Sequence, residues 1–335
     1  MEVTGACEPF DLDDSADVGA VRRRFAALAA AAGLDEARTG DAALIATELA
    51  SNVLKHARRG GALLGIVHEP ERRGVAIATW DRGPGMNLSQ SLRDGTSTAG
   101  TRGVGLGAVA RLATWFDAYT MPGRGSVVVA AIFPKQPARA MRFAVGAASV
   151  PYPGLSVCGD AWASYVSGER ITVLVCDGLG HGEGAAAAAA AVVAAFGAAP
   201  DDPLTAILDR ADHVARSTRG AAATVARIDL ASHELAIAGV GNVAAWIAGD
   251  TLKQLVTQHG TLGHATPSQI REERHSFAPG ALLVMCSDGI KSRWSFEDHP
   301  GLVVCQPATI ATVMWRDLSR ERDDASVVVV CEAAR

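Results

Sequence analysis

Apolar side chains recur at three- and four-residue intervals over residues 18–32 and 41–58, and so predict two amphipathic helices. Asp11, Asp13, Asp14 and Asp17 precede the first helix and Gly33 stops it. In the second, Leu44, Ile45, Leu49, Val53 and Leu54 supply the apolar side. Strands are expected at 62–68 and 74–80, then a polar, glycine-rich loop over 87–102 and a helix reaching about Phe116. The segment 134–140 (PKQPARA) reads as a short proline-bearing linker.

Beyond it the pattern changes to strand and turn. Strands are expected at 143–150, 155–158, 222–229, 234–239, 243–248, 251–256, 271–277, 281–286 and 326–331. Helices are expected at the alanine run 185–191, at 203–218 and at 307–320. Strands outnumber helices and the helices come in blocks, which suggests two stacked antiparallel sheets flanked by helices. Between them an apolar run, 171–175, ends abruptly in Cys176, Asp177 and Gly178. If Gly168 and Glu169 form a two-residue hairpin loop, Asp160 faces Asp177 on the neighbouring strand. Carboxylates so placed repel unless a cation lies between them, and a lone charge at the end of a buried strand is costly.

Length and composition narrow the picture. A chain of 335 residues is long enough for two domains, and 49% hydrophobic with 20% charged residues argues for packed cores. A net charge of -5 carries no nucleic-acid footprint. After residue 140 there are 15 basic against 21 acidic residues, so the metal is expected in that half. Six cysteines without CxxC spacing read as small core residues in a reducing compartment. No basic-plus-apolar leader pattern is present, and the alanine run, flanked by Gly184 and Gly197, is too short and too weakly apolar to span a bilayer. These features lead to the expectation of a cytoplasmic protein whose partners are neither nucleic acid nor membrane.

The candidate chemistry falls in two sets. In the first half, Glu48, Asn52, Lys55 and His56 share one helix face. Asp81-Arg82-Gly83-Pro84-Gly85 releases a carboxylate into a tight turn. Gly103, Gly105 and Gly107 alternate where a helix begins, a pattern that lets backbone N–H groups approach phosphate. They do not follow a strand, as a dinucleotide fold would require. In the second half, four strand ends carry aspartates: Asp160, Asp177, Asp288 and Asp323/Asp324. Oxygen-only ligands favour Mg²⁺ or Mn²⁺, and such a cluster can hold two ions that activate water and clamp a phosphoryl group.

Taken together, Glu48-Leu49-x-x-Asn52-x-x-x-His56, Asp81-x-Gly83-x-Gly85 and Gly103-x-Gly105-x-Gly107 resemble the N, G1 and G2 boxes of the GHKL ATPase superfamily over about residues 15–133. The stretch RGVGLGAVARLATWFDAY is similar to the small serine kinases of bacterial sigma-factor control, of the RsbT and RsbW type. The resemblance implies a Bergerat-type ATP-binding α/β sandwich. In it Asn52 would hold the Mg²⁺ that bridges the ATP phosphates, and Asp81 would accept from the adenine amino group. Gly83 and Gly85 would shape the base pocket, the backbone at Gly103, Gly105 and Gly107 would cradle phosphate, and Glu48 is the candidate general base. Arg102 either neutralises phosphate charge or is a surface arginine. Phosphoryl transfer needs mainly such positioning and charge neutralisation.

The aspartate motifs, with CDGLGHGEGAA and AGVGNV, resemble the metal-dependent type 2C protein phosphatases of the SpoIIE and RsbX kind over about residues 141–334. The resemblance implies an α-β-β-α sandwich in which Asp177 bridges two Mn²⁺ or Mg²⁺ ions and the Gly178 carbonyl binds one. Asp160 would serve the second ion, and Asp288 and Asp323 would complete the first. Asp323 is preferred to Asp324 because RDDASVVVV aligns with the family's Arg-Asp-Asn/Asp before a strand. Ala161-Trp162-Ala163 stands where larger members carry an aromatic residue and a further acid. No arginine clearly matches the phosphate-binding one of the eukaryotic enzymes; Arg170 and Arg219 are the candidates. His181 either acts as an acid or orders its turn.

The two resemblances imply a two-domain α/β (α+β) protein: an ATP-binding domain at 1–133, a linker at 134–140 and a phosphatase domain at 141–335. They imply a bifunctional regulator of partner switching that uses ATP with Mg²⁺ in one domain and two Mn²⁺ or Mg²⁺ in the other. Its protein partner would be a STAS-domain antagonist or a stressosome-type phosphoprotein, with a sigma factor as a further candidate. The alternative is a phosphatase whose first domain is a non-catalytic ATP sensor or a sigma-factor-binding module.

Overall fold

The computed structural model describes residues 2–3, 6–57, 59–69, 72–92, 105–135 and 141–333. Two compact units are present, and they do not simply follow chain order. Residues Cys7–Arg139 and Phe296–Arg316 form one; Met1–Ala6, Ala140–Ser295 and Asp317–Arg335 form the other.

The chain begins with two short strands, β1 (Glu2–Val3) and β2 (Glu8–Asp11). Helices α1 (Ser15–Ala31) and α2 (Glu36–His56) follow, then β3 (Gly60–Glu69), β4 (Arg72–Asp81), the single turn α3 (Leu88–Ser91) and α4 (Gly105–Leu112). Strands β5 (Trp115–Met121) and β6 (Gly125–Ile132) complete a five-stranded antiparallel sheet in the order β2-β3-β4-β6-β5. The acidic lead-in to α1 is a capping box: Asp14 Oδ1 accepts from the amides of Ala16 and Asp17, and Asp17 Oδ2 from those of Asp13 and Asp14. Helix α2 starts five residues before the expected Asp41, because Asp35 caps it by accepting from Arg38 N at 2.7 Å. Phe25, Ile45 and Leu49 of the two helices bury against Leu64, Ile77 and Ile132 of the sheet.

Helix α4 stops at Leu112 rather than running to Phe116, and β5 occupies the remainder. The buried Arg38 accounts for the stop. Its guanidinium donates to the Leu112 carbonyl at 2.8 Å, to Thr114 Oγ1 and to the Phe133 carbonyl, which satisfies a helix-end acceptor and turns the chain into the sheet.

In the second unit come β7 (Phe143–Val150), β8 (Asp160–Ser167), β9 (Arg170–Gly178), helices α5 (Glu183–Ala198) and α6 (Leu204–Ala215), and β10 (Ala221–Asp229). Strands β11 (Glu234–Val240), β12 (Ala244–Ala248), β13 (Leu252–Leu255), β14 (Glu273–Ser276) and β15 (Leu282–Cys286) follow. Helix α7 (Pro307–Leu318) and β16 (Ala325–Glu332) end the described chain. One sheet runs β1-β8-β9-β10-β11-β14 and the other β13-β12-β15-β16-β7, all pairs antiparallel. The segment 155–158, expected as a strand, is turn and bend instead.

Alternation along β9 builds two cores from one strand. Ile171, Val173 and Val175 face Ile247, Leu283, Met285 and Val328 of the other sheet. Leu174 and Cys176 point the opposite way, onto Ala189, Val192 and Phe196 of α5 and Ile207 of α6. The alanines let α5 lie very close: a Cβ on Gly178 would overlap the Ala185 carbonyl oxygen, so only glycine fits after Asp177.

Most of α7 falls with the first unit. Trp315 meets Trp80 edge to face at 5.8 Å between ring centres. Arg316 Nη1 donates to the Asp81 carbonyl at 3.3 Å, and Arg82 Nη2 donates to the Arg316 carbonyl. Among the described residues, no helix is long and apolar enough to cross a membrane.

Candidate functional site

The β8–β9 hairpin turns at Gly168-Glu169 in the expected register, so Asp160 and Asp177 are direct cross-strand partners. Asp160 opens β8 and Asp177 nearly ends β9, which puts both at one end of the first sheet. The second sheet brings its own acids to the same place. Cys286 of β15 pairs with Val327 of β16, so Asp288, just after β15, and Asp323-Asp324, just before β16, leave the sheet side by side. Packing is close enough that a Cβ on Gly289 would overlap the Asp324 carbonyl, and one on Gly159 would lie 2.6 Å from Asp324 Oδ2.

Mutual repulsion records the convergence. Burial raises the Asp177 pKa well above the ordinary carboxylate range, and the charges of Asp160, Asp288, Asp323 and Asp324 raise it further. Burial likewise raises that of Asp160. The nearby hydroxyls of Ser287 and Ser326 oppose the rise, and Asp324 and Asp288 add to it. Both Asp160 oxygens are buried without a hydrogen-bond partner, as is Asp324 Oδ2. Asp288 is raised by burial and by Asp323, with Arg320 acting against both.

The other carboxylates are turned onto protein donors. Asp288 Oδ2 accepts from Asn242 Nδ2 at 2.7 Å, Asp323 Oδ1 from the Asp324 amide at 3.0 Å, and Asp324 Oδ1 from the Tyr152 amide at 2.8 Å. In keeping with this, among the described residues no three His, Cys, Asp or Glu side chains are already closed around a common ion position. Orphaned buried carboxylate oxygens in an all-oxygen set are nonetheless what a hard divalent cation requires. Both members of the Asp323-Asp324 doublet act on Asp177. His181 is exposed on the loop after β9, its ring 4.8 Å from that of Tyr152. Arg170 lies at the far end of β9, paired with Asp201 at 4.0 Å.

In the first unit, Glu48 of α2 reaches the start of α4, where its Oε2 accepts from the Gly105 amide at 3.4 Å. Asn52, half-buried, lies one turn further along the same helix. Asp81 ends β4, and its Oδ1 accepts from the Gly83 amide at 2.7 Å. Partial burial raises its pKa, opposed by the Gly83 amide, the Arg316 charge, the Ser126 amide and His56. A side chain at Gly83 would press on Asp81 Oδ1 at 2.9 Å. Gly85, at φ +81°, would meet the Met121 carbonyl at 2.8 Å. Gly107 is buried within α4, and Arg102 and Gly103 lie outside the described residues.

The comparisons agree with both halves. The histidine kinase-like ATPase domain matches residues 12–132, and stage II sporulation protein E (SpoIIE) matches residues 167–331. The serine/threonine-protein kinase RsbT of Bacillus subtilis (strain 168) is 34% identical over 96 residues, 28% of this chain and 72% of that protein. A chain from a structure of the bacterial stressosome, a modular system adapted to control secondary messenger signalling, superposes with a TM-score of 0.54 and 26% identity. It covers 57% of this chain and 100% of its own. RsbX in complex with magnesium gives 0.52 at 19% identity, covering 59% of this chain and 99% of its own. The PP2C phosphatase domain of SpoIIE from Bacillus subtilis, with a fragment of its regulatory domain, gives 0.51 at 18%, covering 78% and 80%. These last two show the fold alone. The chain thus belongs by its first unit to the family of the serine/threonine-protein kinase RsbT, and its second unit, which carries the aspartate cluster, matches stage II sporulation protein E (SpoIIE) and has the fold of the PP2C phosphatase domain.

Proposed function

We propose that this protein sets the phosphorylation state of a STAS-type antagonist protein from both directions, removing phosphate from serine or threonine in its second unit and adding it in its first. The observation that carries the phosphatase half is the pair Asp160–Asp177. Two directly opposed carboxylates, Asp160 buried with both oxygens orphaned and Asp177 half-buried, with further acids in electrostatic reach, are costly unless cations occupy the space between. Asp177, the Gly178 carbonyl, Asp160, Asp288 and Asp323 would hold two Mn²⁺ or Mg²⁺ ions, with the side chains now on Asn242 and the Asp324 amide rotating inward. When bound, such ions lower the pKa of water and neutralise charge on the phosphoryl oxygens. Water then attacks phosphorus in line, the P–O bond to the serine or threonine breaks, and the leaving alkoxide takes a proton. His181, held against Tyr152, is the candidate acid for that proton.

In the first unit Asn52 would hold the Mg²⁺ that accompanies ATP, and Asp81, with Gly83 and Gly85 leaving room beside it, would read the adenine amino group. Gly103, Gly105 and Gly107 would offer backbone amides to the phosphates, Arg102 would add a positive charge, and Glu48 would take the proton of the substrate hydroxyl. The contact of Glu48 with the Gly105 amide supports this reading, since it joins the candidate base to the phosphate cradle. Tethering opposed activities on one substrate raises the effective concentration of each.

The test uses the full chain, a phosphorylated STAS-domain protein and labelled ATP. Mn²⁺-dependent release of phosphate that Asp177→Asn removes supports the phosphatase site; full activity in that variant refutes it. Transfer of label to serine or threonine that Glu48→Ala abolishes supports the kinase. ATP binding without transfer assigns the first unit as a nucleotide sensor, and stable capture of a sigma factor assigns it as a binding module.

A further inference from the structure

Three serines lie buried in a row across the strand ends that carry the acids. Ser149 sits near the end of β7, Ser326 near the start of β16 and Ser287 just after β15, on neighbouring strands of one sheet. They are 3%, 0% and 2% exposed. Ser326 and Ser149 are cross-strand partners, and their hydroxyls share a hydrogen bond of 2.7 Å. On the other side the Ser287 amide donates to the Ser326 carbonyl at 3.0 Å, and the Ser326 amide donates to Ser287 Oγ at 2.9 Å. The chain around them is apolar: residues 327–330 are all valine, and Leu282–Cys286 precedes Ser287. A hydroxyl in such a setting is unfavourable unless a polar group makes use of it.

That group is Asp160. It comes from the facing sheet, at the first position of β8, buried with both carboxylate oxygens unpartnered. The hydroxyls of Ser287 and Ser326 both act on it. Ser149 reaches the same strand end, its Oγ 3.7 Å from the Sγ of Cys158, two residues before Asp160. Ser287 Oγ accepts from the Ser326 amide, while its own proton has no other acceptor among the described residues.

A filled site makes the need for donors greater. With one oxygen of Asp160 given to an ion, the other still faces the interior, where an anionic oxygen without a donor is costly. A hydroxyl can turn its proton toward that oxygen without moving its own heavy atom. Hydrogen bonds of this kind behind a metal ligand fix its orientation.

We infer that Ser287 and Ser326, with Ser149 behind them, are positioning residues of the metal centre. They hold Asp160 in place for the second ion by donating to the carboxylate oxygen that the ion does not take. The inference rests on the phosphatase reading above.

The experiment compares the wild type with Ser287→Ala, Ser326→Ala, Asp160→Asn and the control Ser164→Ala, all as full chains. Ser164 is an equally buried serine of β8, four residues and roughly 13 Å beyond Asp160. Binding of Mn²⁺ is followed by calorimetry, and the metal-free fold by melting in EDTA. Each of Ser287→Ala and Ser326→Ala is expected to weaken one of two Mn²⁺-binding steps by roughly tenfold to a hundredfold and to spare the other. The weakened step is the one that Asp160→Asn removes. Ser164→Ala changes neither. Wild-type binding of both ions in the serine variants reduces the serines to packing and overturns the inference. So does an equal loss at both steps together with a lower metal-free melting temperature. In either case the selective loss of one step in Asp160→Asn leaves the phosphatase reading standing. A wild type that binds no Mn²⁺, or an Asp160→Asn protein that binds both ions as the wild type does, overturns that reading as well.

Discussion

Asp160 and Asp177 sit directly across from each other on β8 and β9, the first with both carboxylate oxygens buried and unpartnered. Their pKa values are raised, first by burial and then by one another and the acids around them. A carboxyl group whose folded-state pKa lies above its unfolded one favours folding while protonated and loses that contribution as pH rises through the folded value. The metal-free protein is therefore expected to melt at progressively lower temperature from about pH 4 to mildly alkaline pH. Saturating Mn²⁺ reverses the trend, because bound ions require the ionised form. At a hundredfold excess over Kd one site adds about 2.7 kcal/mol, or roughly 5–10 °C for a unit of this size. Thermal melts in EDTA and in Mn²⁺ at pH 5.5 and 8.5 measure this. A metal-free melting temperature that climbs with pH contradicts the electrostatic account.

Removing one charge separates stability from activity. Asp177→Asn keeps the shape of the side chain while relieving repulsion from Asp160, Asp288, Asp323 and Asp324. The variant is expected to be inactive as a phosphatase yet more stable than wild type without metal, by about 1–2 kcal/mol at pH 8. It also loses most of the Mn²⁺-induced rise. Denaturant titrations with and without Mn²⁺ read both effects, and a metal-free Asp177→Asn less stable than wild type counts against a strained carboxylate cluster.

The features legible in the sequence are those set by local rules. Gly168-Glu169 marked a two-residue turn, and once that loop was placed the period-two geometry of strands made Asp160 and Asp177 partners. Asp14 and Asp17 announced α1 in the same way, through their own chain neighbours. What escaped depended on distant partners. The end of α4 at Leu112 is set by Arg38, 74 residues earlier, so apolar spacing alone carried the helix onward to Phe116. An amphipathic α7 declares a buried face without saying against what, and nothing near Trp315 points to Trp80. Glu2–Val3 is too short a strand to stand out, yet it pairs with Ser164 and Ala163.

Asp81 offers a sharp test of the nucleotide site. Its Oδ1 is engaged by the Gly83 amide, and burial raises the carboxyl's pKa while that amide and the Arg316 charge oppose the rise. Asp81→Asn replaces an acceptor with a group that presents donors to the adenine amine, and it is expected to weaken ATP binding roughly tenfold to a hundredfold. Phosphatase activity without nucleotide should be unaffected. Calorimetry with ATP and Mg²⁺ gives the first number and phosphopeptide turnover the second. An unaltered ATP affinity removes Asp81 from the adenine pocket.

The contact between Trp80 and Trp315 places a helix from the far end of the chain against the strand that carries Asp81. Both indoles are only half-buried, so truncation costs less than in a closed core; about 2 kcal/mol is expected for Trp315→Ala. The effect should appear in the melting of the first unit and be largely recovered by Trp315→Phe, which keeps an aromatic ring against Trp80. Because the neighbouring Arg316 donates to the Asp81 carbonyl, loosening this end of α7 is also expected to weaken ATP binding several-fold. Asp81→Asn and Trp315→Ala then act on one pocket, and their combined effect on ATP affinity falls short of the sum of the two free-energy changes. Melting curves and ATP titrations of the three single variants and of Asp81→Asn/Trp315→Ala settle the matter. Strictly additive losses, or a Trp315→Ala protein as stable as wild type, mean that this ring pair supports neither the unit nor its nucleotide.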